Sequence, residues 1–440
     1  MLGALDLGER TVELLQQLIR FNTVNPPGNE RPAQEFLAKR LTDAGFECEL
    51  LGPEEGRPNL IARLPGESPG PVLALAGHVD TVLAEPSEWS VDPWEGELRD
   101  GMVWGRGALD MKGQVASEVA GAEELAASGW RPPAGELMLI VTADEEAGAE
   151  IGARWLCEEV PEKVRCDMIV NEGAGEALDF DGRRFHTLCV GEKGVFRFNL
   201  VTEGIAGHAS MPAMGDNALL KMVQVLSRLD GRQPEFDENG AARGTLEALL
   251  GGQVGDLRSG IERVRSIEPR LADQVEPMLG VTFAPTMAEA SRKINVVPSR
   301  CTVRVDCRVP PGLGEDHVRQ RLTELIGPEQ GGDYRIEFRD DTVGNSSALE
   351  GPLADALAGF VEEWDPGARL LPYVMPGFTD SHWFRKAFPE CVAYGFFPQR
   401  SMTMFETGPL IHAPDERIAV ADLELASSFY RDLPPRLLGR

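Results

Sequence analysis

Short apolar runs that alternate with helical segments constrain the fold of this chain more than any other feature of its sequence. The runs lie at 59–63, 72–76, 137–142 and 168–171. Helical patterns occupy 111–128 and 148–159, and apolar residues with helical spacing predict two more helices before the first run. Strands that alternate with helices favour a sheet covered by helices on both faces. This part of the chain is therefore typical of an α/β domain.

The pattern changes between residues 192 and 342. Apolar and polar residues alternate from 196 to 200, as in an antiparallel strand with one face in water. The further patterns of this segment complete a strand-helix-strand-strand-helix-strand unit. We therefore predict an α/β fold in which 1–191 and 343–440 form one domain, a mixed sheet flanked by helices. An α+β domain at 192–342 is inserted into it, with an irregular or helical elaboration at 231–278.

Charge and composition exclude several classes of function. The chain has 43 Lys and Arg against 71 Asp and Glu, a net charge of −28, which repels phosphate backbones and anionic lipid surfaces. We expect no binding to nucleic acid or to membranes. The seven cysteines form no C-x-x-C pair, and we see no secretory leader and no apolar run long enough to span a membrane. We expect a cytoplasmic protein with reduced thiols.

A histidine and an aspartate follow the second apolar run directly. His78 and Asp80 stand two residues apart and share one face of the strand if it continues. An aspartate in that place can accept the second N–H of the imidazole and orient the other nitrogen toward a metal. In open α/β sheets, ligands bind beyond the carboxyl ends of the strands. His78 is therefore a candidate ligand, although a histidine at a strand end can also be purely structural.

Other metal-binding side chains stand in comparable places. They are Asp110 in a glycine-rich segment before a helix, Glu145 and Glu146 after the third run, Glu172 after the fourth, and His412 after an apolar and aromatic strand region. Each has a structural alternative, because aspartates cap helices and the helix dipole favours acidic residues in the first turn. Taken together, two histidines and these carboxylates at sheet ends form a ligand set suited to two divalent ions. Zinc fits best, with cobalt or manganese as substitutes.

The motifs around these residues resemble those of one family, in the same order and over most of the chain. The family is that of the co-catalytic zinc peptidases and deacylases, which includes acetylornithine deacetylase, succinyl-diaminopimelate desuccinylase, aminoacylase and glutamate carboxypeptidase. The matching segments are Gly77-His-Val-Asp80, Gly105-Arg-Gly-Ala-Leu-Asp-Met-Lys-Gly113, Asp144-Glu-Glu146, Asn171-Glu-Gly173, Gly207-His-Ala-Ser-Met-Pro212, Asn295-Val-Val-Pro298 and His412.

The resemblance implies a role for each of these residues. Asp110 would bridge two metals, with His78 and Glu172 completing one site and Glu146 and His412 completing the other. Glu145 would be the general base, a role that its position next to a ligand suits. The peptide bond after Asp110 would be cis. The inserted domain would be a lid and dimerisation domain of a homodimer, whose His208 donates to the oxyanion in the partner's active site, although a loop or capping histidine is the alternative.

The resemblance also implies a substrate with a free carboxylate, contacted by Asn295 and Arg308. A planar guanidinium suits that task, although Arg308 could instead form an ion pair on its strand. Glu172, where some members have aspartate, favours an N-acyl amino acid or short peptide as the substrate. An aminopeptidase or dipeptidase of the same fold remains an alternative. Two segments, 231–278 and 289–293, depart from the family pattern and bear on substrate contacts.

Other functions have less support in the sequence. The motifs of serine hydrolases, single-zinc proteases, P-loop proteins and dinucleotide-binding proteins are absent from it. A non-catalytic metal-binding relative would have lost a ligand or the base, whereas all six positions are intact. The sequence therefore predicts a di-zinc amide hydrolase.

Overall fold

The computed structural model describes residues 5–229, 235–238, 240–329 and 334–439. They form two compact units. The inserted unit comprises the described residues of Gly191–Ser346 together with Val374–Phe378, and the first unit comprises the rest. We had predicted 374–378 as part of the domain that 1–191 and 343–440 form. In the structure this segment belongs to the inserted unit, where Lys193 N donates to Met375 O at 3.0 Å.

The elements are numbered along the chain. The strands are β1 Glu47–Leu51, β2 Asn59–Pro65, β3 Val72–His78, β4 Glu97–Arg99, β5 Met102–Trp104, β6 Glu136–Thr142, β7 Met168–Asn171, β8 Glu176–Phe180, β9 Arg183–Glu192, β10 Gly194–Val195, β11 Phe198–Glu203, β12 Gly207–His208, β13 Thr282–Glu289, β14 Val296–Val297, β15 Arg300–Val309, β16 Arg335–Phe338, β17 Arg369–Met375, β18 Val392–Gly395, β19 Gln399–Thr403 and β20 Arg417–Ala419.

The helices follow the same order. They are α1 Leu7–Arg20, α2 Arg31–Asp43, α3 Lys112–Ala127, α4 Ala153–Glu159, α5 Ala218–Leu229, α6 Arg243–Leu250, α7 Leu257–Ile267, α8 Pro269–Val275, α9 Glu315–Ile326, α10 Pro352–Trp364, α11 Ser381–Ala387, α12 Met404–Thr407 and α13 Val420–Leu438. Among the described residues, no helix combines the length and the apolar character needed to cross a membrane.

The first unit is built on a mixed sheet. Within the described ranges the sheet has ten strands in the order β1-β2-β6-β3-β7-β18-β9-β8-β19, with β17 paired to β9. Strands β6, β3, β7 and β18 are parallel neighbours. Their near-continuous apolar sequences fit this place, because parallel strands are buried on both faces. Their carboxyl ends therefore meet at one edge of the sheet, where ligands bind in open α/β sheets.

Close packing of helices supports this sheet. Helix α3 is buried over most of its surface and packs against α1 and α13. Its small residues permit this approach, since a Cβ added to Gly121 would lie 2.7 Å from Ser427 O on α13. Helix α3 is therefore closely packed against α13, and Asp110 lies just before its amino end.

The inserted unit is an antiparallel sheet with helices packed on it. Over the part of this unit that the structure describes, the sheet runs β10-β15-β11-β16, with β13 paired to β15. Residues of α5 and α9 share its hydrophobic core. A separate ribbon pairs β12 with β14. The predicted elaboration at 231–278 contains the helices α6, α7 and α8, while residues 231–234 and 239 lie outside the described residues. The predicted fold class, α/β with an inserted α+β unit, is confirmed.

Candidate metal centre

Three parallel strands of the first unit deliver site residues to the same edge of the sheet. His78 is the last residue of β3, Glu172 follows β7, and Glu145 and Glu146 lie in a short 3-10 turn after β6. Asp110 lies in the loop before α3. His412 is placed differently from the prediction, because it follows the 3-10 turn Gly408–Leu410 rather than a strand.

The structure brings these residues together around the carboxylate of Asp110. Its Oδ1 lies 3.2 Å from His78 Nε2, and its Oδ2 lies 3.0 Å from His412 Nε2. Glu146 Oε2 lies 3.1 Å from His412 Nε2, and Glu172 Oε2 lies 3.7 Å from His78 Nε2. Asp110 therefore stands between two groups that each contain one imidazole and one further carboxylate. The peptide bond after Asp110 is cis, as the resemblance implied.

Glu145 lies beside the His78 group. Its Oε2 is 3.8 Å from His78 Nε2, and its side chain is largely buried. Burial raises its pKa well above the ordinary value, and the nearby charge of Glu172 acts in the same direction. Burial likewise raises the pKa of Glu172 to about 7. The site thus holds several carboxyl groups close together. They cannot all ionise unless a positive charge compensates them.

The pKa values of the two histidines and Asp110 are shifted by burial and by the same neighbouring groups. Burial opposes the ionisation of Asp110, but the close contacts of its oxygens with His412 and His78 hold its pKa below the usual range. Hydrogen bonds to Asp110 and Glu146 raise the pKa of His412 to about 10. Burial opposes protonation of His78, yet the charge of Glu172 and contacts with Asp110 hold its pKa above the ordinary value. The acidic groups therefore stabilise positive charge in this site.

Two overlapping groups of these residues, which share His78, have the spacing of a metal site. Ligand atoms of His78, Glu145 and Glu172 lie within 4.8 Å of one another, as do those of His78, Asp110 and Glu146. Within the described part of the chain, His78 Nε2 is buried without a hydrogen-bond partner of good geometry, and so is Glu146 Oε1. Buried polar atoms are rarely left unsatisfied. Imidazole nitrogens and carboxylate oxygens are the donors that zinc and related ions accept.

Asp80 supports this site differently from the prediction. His78 Nδ1 lies 3.0 Å from the backbone carbonyl oxygen of Asp80, whereas the nearer carboxylate oxygen is 3.5 Å away. The Asp80 carboxylate instead accepts from the backbone N–H groups of Glu145 and Glu146, each at 3.2 Å. One residue therefore orients the His78 ring and also holds the turn that carries Glu145 and Glu146.

The sequence did not reveal two residues that anchor the same turn. Asp144 has a left-handed backbone with φ 68°. Its Oδ1 accepts from Asn25 Nδ2 at 3.0 Å and from Arg57 Nη2 at 3.1 Å. Asn25 also donates to Asp80 at 2.9 Å, and Arg57 pairs with buried Glu30 at 2.7 Å. Asn25 and Arg57 lie in loops with no periodic pattern, so no local signal marked them.

The remaining predicted residues belong to the inserted unit. His208 on β12 pairs with Val296 on β14, and Asn295 O accepts from Ala209 N at 3.1 Å. His208 and Asn295 thus lie together on the ribbon, and both are exposed. Arg308, on β15, forms the ion pair that we had considered as its alternative, with Nε 2.8 Å from Asp306 Oδ1.

Known proteins are similar to this chain over most of its length. Residues 74–435 match the model of peptidase family M20/M25/M40. A succinyl-diaminopimelate desuccinylase of Parvibaculum lavamentivorans is 35% identical over 428 residues, covering 95% of this chain and 93% of that protein. An M20 family metallo-carboxypeptidase from Sulfolobus solfataricus has a TM-score of 0.72 at 17% identity, with 97% and 99% of the two chains covered. A dinuclear metal-binding peptidase from Bacillus subtilis, also of the M20 family, has a TM-score of 0.62 at 16% identity, with 97% of each chain covered. The two structures show a shared fold.

Proposed function

The chain belongs to peptidase family M20/M25/M40, and on that premise we propose that it cleaves the amide bond of an N-acyl amino acid or short peptide with a free carboxylate. The family makes it a metal-dependent hydrolase. The observation that carries the proposal is the Asp110 carboxylate, whose two oxygens face His78 and His412. A carboxylate placed in this way can hold two ions side by side.

We propose that two Zn²⁺ ions, replaceable by Co²⁺ or Mn²⁺, occupy this centre. His78, Asp110 and Glu172 would hold one ion, and Asp110, Glu146 and His412 would hold the other. When bound, such ions supply Lewis acidity that polarises an amide carbonyl and favours the ionisation of water. Glu145 Oε2 lies 3.8 Å from His78 Nε2, whereas Glu146 Oε2 lies 3.1 Å from His412 Nε2, so the two neighbours can serve different purposes.

Glu145 is the general base of the proposed reaction. Its carboxylate lies beside His78, with Oε2 3.8 Å from Nε2 of the ring. It takes the proton of the attacking water and returns that proton to the departing amine. A positioned carboxylate in this role contributes about 10² to 10⁴ in rate.

His208 is the proposed donor to the oxyanion of the tetrahedral intermediate. Its Nδ1 accepts from Ser210 N at 3.2 Å and lies 2.7 Å from Ser210 Oγ. Because a backbone N–H can only donate, Nδ1 is an acceptor, and the neutral ring carries its proton on Nε2. The exposed ring can then donate from Nε2 to an oxyanion.

We propose that His208 acts on the active site of a second copy in a homodimer. The inserted unit supports an association of this kind, because it exposes large apolar side chains on α5 and near the ribbon. They are Ile205, Met211, Met214, Leu219, Leu220 and Val223. Exposed apolar side chains that lie close together mark interaction surfaces.

Asn295 and Arg308 are the proposed contacts for the substrate carboxylate. Asn295 lies beside His208 on the ribbon, so its side chain is accessible to a ligand. Arg308 donates from Nε and Nη2 to Asp306, at 2.8 and 3.4 Å, and from Nη1 to Pro376 O at 3.5 Å. Two of its five N–H groups are left for a second carboxylate. The curated relative's name specifies a succinyl group, so N-succinyl amino acids are the first substrates to test.

A substrate screen tests the proposal. The zinc-loaded protein is assayed for amine release from N-succinyl, N-acetyl and long-chain N-acyl amino acids and from dipeptides, with the Glu145→Gln protein as the control for contaminating activity. Each substrate that is cleaved is then offered with its carboxylate converted to an amide. We expect cleavage of the free acid and a large loss with the amide. Cleavage that requires a free amine and tolerates the amide would instead identify an aminopeptidase.

A further inference from the structure

Glu416 is a buried carboxylate that contacts the loop carrying Asp110. It is fully buried in the first unit and stands four residues after His412. Its Oε1 accepts from Leu109 N at 2.7 Å and from Asp110 N at 3.0 Å. Its Oε2 accepts from Gly107 N at 3.1 Å and from Arg106 Nη1 at 2.6 Å. Both oxygens are therefore committed to one loop.

The backbone of Glu416 strengthens the same connection. Its carbonyl oxygen accepts from Gly105 N at 2.9 Å, so the loop is held at its beginning as well as at its end. The segment from His412 to Glu416 is held too, because Asp415, next to Glu416, accepts from Ser90 N at 2.7 Å and from Ser90 Oγ at 2.6 Å. The segment that carries His412 is thus fastened to the loop that carries Asp110.

We propose that Glu416 is a positioning residue that sets Asp110 and His412 at the separation at which both can bind one metal ion. This inference rests on the proposed function, since it concerns the ion shared by those two residues. Asp110 and His412 come from segments about 300 residues apart in sequence, and preorganisation of such ligands depends on groups of this kind. The carboxylate acts through the backbone N–H of Asp110 and does not contact the proposed ion.

The side-chain chemistry explains why a glutamate is needed. All of the groups that contact the carboxylate are donors, and the two oxygens of an ionised carboxylate only accept. A glutamine has the same shape, but its NH₂ group would face either the Leu109 and Asp110 amides or the Gly107 amide and Arg106. One half of the connection is lost in either orientation, so Glu416→Gln releases the loop without leaving a cavity.

Glu123 provides a matched control in the same unit. It is also buried, and its carboxylate accepts from Arg40 Nε at 2.9 Å and Arg40 Nη2 at 2.6 Å. Glu123→Gln therefore removes a buried carboxylate from an arginine pair without touching the loop at 105–110. Both variants are expected to lose stability. Only Glu416→Gln should also change metal binding, because only Glu416 contacts the loop that carries Asp110.

The experiment has two measurements on the full-length protein and both variants. Hydrogen exchange of the metal-free proteins should show faster exchange of the 105–111 amides in Glu416→Gln and parent-like exchange there in Glu123→Gln. Zinc titration followed by calorimetry should show at least about tenfold weaker binding of one ion in Glu416→Gln, as for other groups that orient metal ligands. Zinc binding by Glu123→Gln should equal that of the parent.

Several outcomes overturn the inference. Zinc affinity equal to the parent's in Glu416→Gln overturns it, whatever the exchange shows, and so does equal weakening by both variants. A parent protein that binds no zinc overturns the proposed function itself, which distinguishes the two failures. If Glu416→Gln does not fold, Glu416→Asp takes its place, because it keeps a negative charge beside Arg106 but withdraws the carboxylate by one methylene. The same weakening of zinc binding is expected from it.

Discussion

The candidate metal centre of the first unit and the ribbon of the inserted unit hold the candidate residues in opposite surroundings. His78 is 1% exposed and Asp80 is fully buried, whereas His208 lies exposed on the two-residue strand β12 and Asn295 lies exposed just before the two-residue strand β14. Grouping several carboxylates in a buried site is costly unless cations or hydrogen bonds compensate. The exposed ribbon carries no such cost. The buried arrangement is suited to hold ions, and the exposed ribbon is suited to contact a ligand or a protein partner from solution.

The two regions also differ in how their side chains are fixed. In the centre, Asp80 and Glu416 accept from the backbone N–H groups of candidate ligands or their neighbours. On the ribbon, the ring of His208 contacts Ser210 two residues away. Changes in the centre should therefore remove metal or chemistry outright, whereas changes on the ribbon should depend on assembly. The predictions below test that difference, beginning with the largest effect.

Glu145→Gln should lower kcat by at least about 10² while leaving the bound metal unchanged, because the amide keeps the shape and cannot take a proton. Glu146→Gln, its neighbour in the same turn, should instead deplete the metal, since Glu146 lies 3.1 Å from His412 Nε2. Steady-state kinetics and elemental analysis of the purified proteins measure both effects. Near-normal turnover with full metal in Glu145→Gln, or identical behaviour of the two variants, would show that base and ligand have been assigned wrongly.

His208→Ala should lower kcat by about 10² to 10³ with metal content unchanged, as the loss of one oxyanion donor does. The sharper test mixes this variant with Glu145→Gln. In a mixed dimer, one site has an intact Glu145 and receives His208 from the other subunit, so activity should return as subunits exchange. A mixture that stays inactive although labelled subunits have exchanged would place the action of His208 within its own subunit, or exclude it from the reaction.

The candidate ligands could be predicted because their signals are local. An apolar run followed directly by a histidine or an acid specifies both a buried strand and what its end presents, and the structure gathers His78, Glu146 and Glu172 at one edge of the sheet. The hairpin of β8 and β9 was missed although its turn carries a signal. Asp181 and Gly182 both have positive φ, as an Asp-Gly type I′ turn requires.

The supporting residues could not be predicted, because their contacts join distant parts of the chain. Arg57 meets Asp144 across 87 positions, and Glu416 meets Asp110 across 306. A single arginine or glutamate in a loop has the same local pattern whether it faces water or a buried partner. The strand expected directly before His412 was wrong, since residues 404–410 form a short helix and a 3-10 turn instead.

Each unit also buries an ionisable side chain outside the group of candidate metal ligands, and the two should respond oppositely to pH. In the first unit, Glu118 on α3 is 1% exposed and accepts from Gln114 Nε2 at 2.8 Å. Burial raises its pKa well above the ordinary 4.5. The unfolded chain loses this proton first, so the stability contributed by the neutral acid is complete below pH 4.5 and is lost as pH rises through the folded-state pKa.

Glu118→Gln should therefore become more stable relative to the parent as pH rises, because the amide keeps the acceptor for Gln114 and never ionises. Chemical denaturation at about pH 5 and about pH 8 measures the difference in the free energy of unfolding. Glu13→Gln, on the exposed face of α1, is the control for the same substitution in water. A Glu118→Gln protein whose advantage does not change with pH would mean that Glu118 titrates normally in the folded protein.

The smallest effect is expected from Lys193 in the inserted unit, where the trend reverses. Lys193 is fully buried, and its Nζ donates to Pro277 O at 2.5 Å and to Gly280 O at 2.7 Å. Burial lowers its pKa from 10.5 to about 7, an effect that Cys307 opposes and Arg308 reinforces. Between these values the unfolded chain binds the extra proton, so the stability from Lys193 grows with pH and is lost as pH falls through about 7.

The free energy of unfolding of the parent, relative to that of Lys193→Met, should thus increase from about pH 7 to about pH 10, whereas exposed Lys293→Met should show no such trend. A constant difference would mean that Lys193 keeps its proton when buried, and that its two carbonyl partners bind an ammonium group.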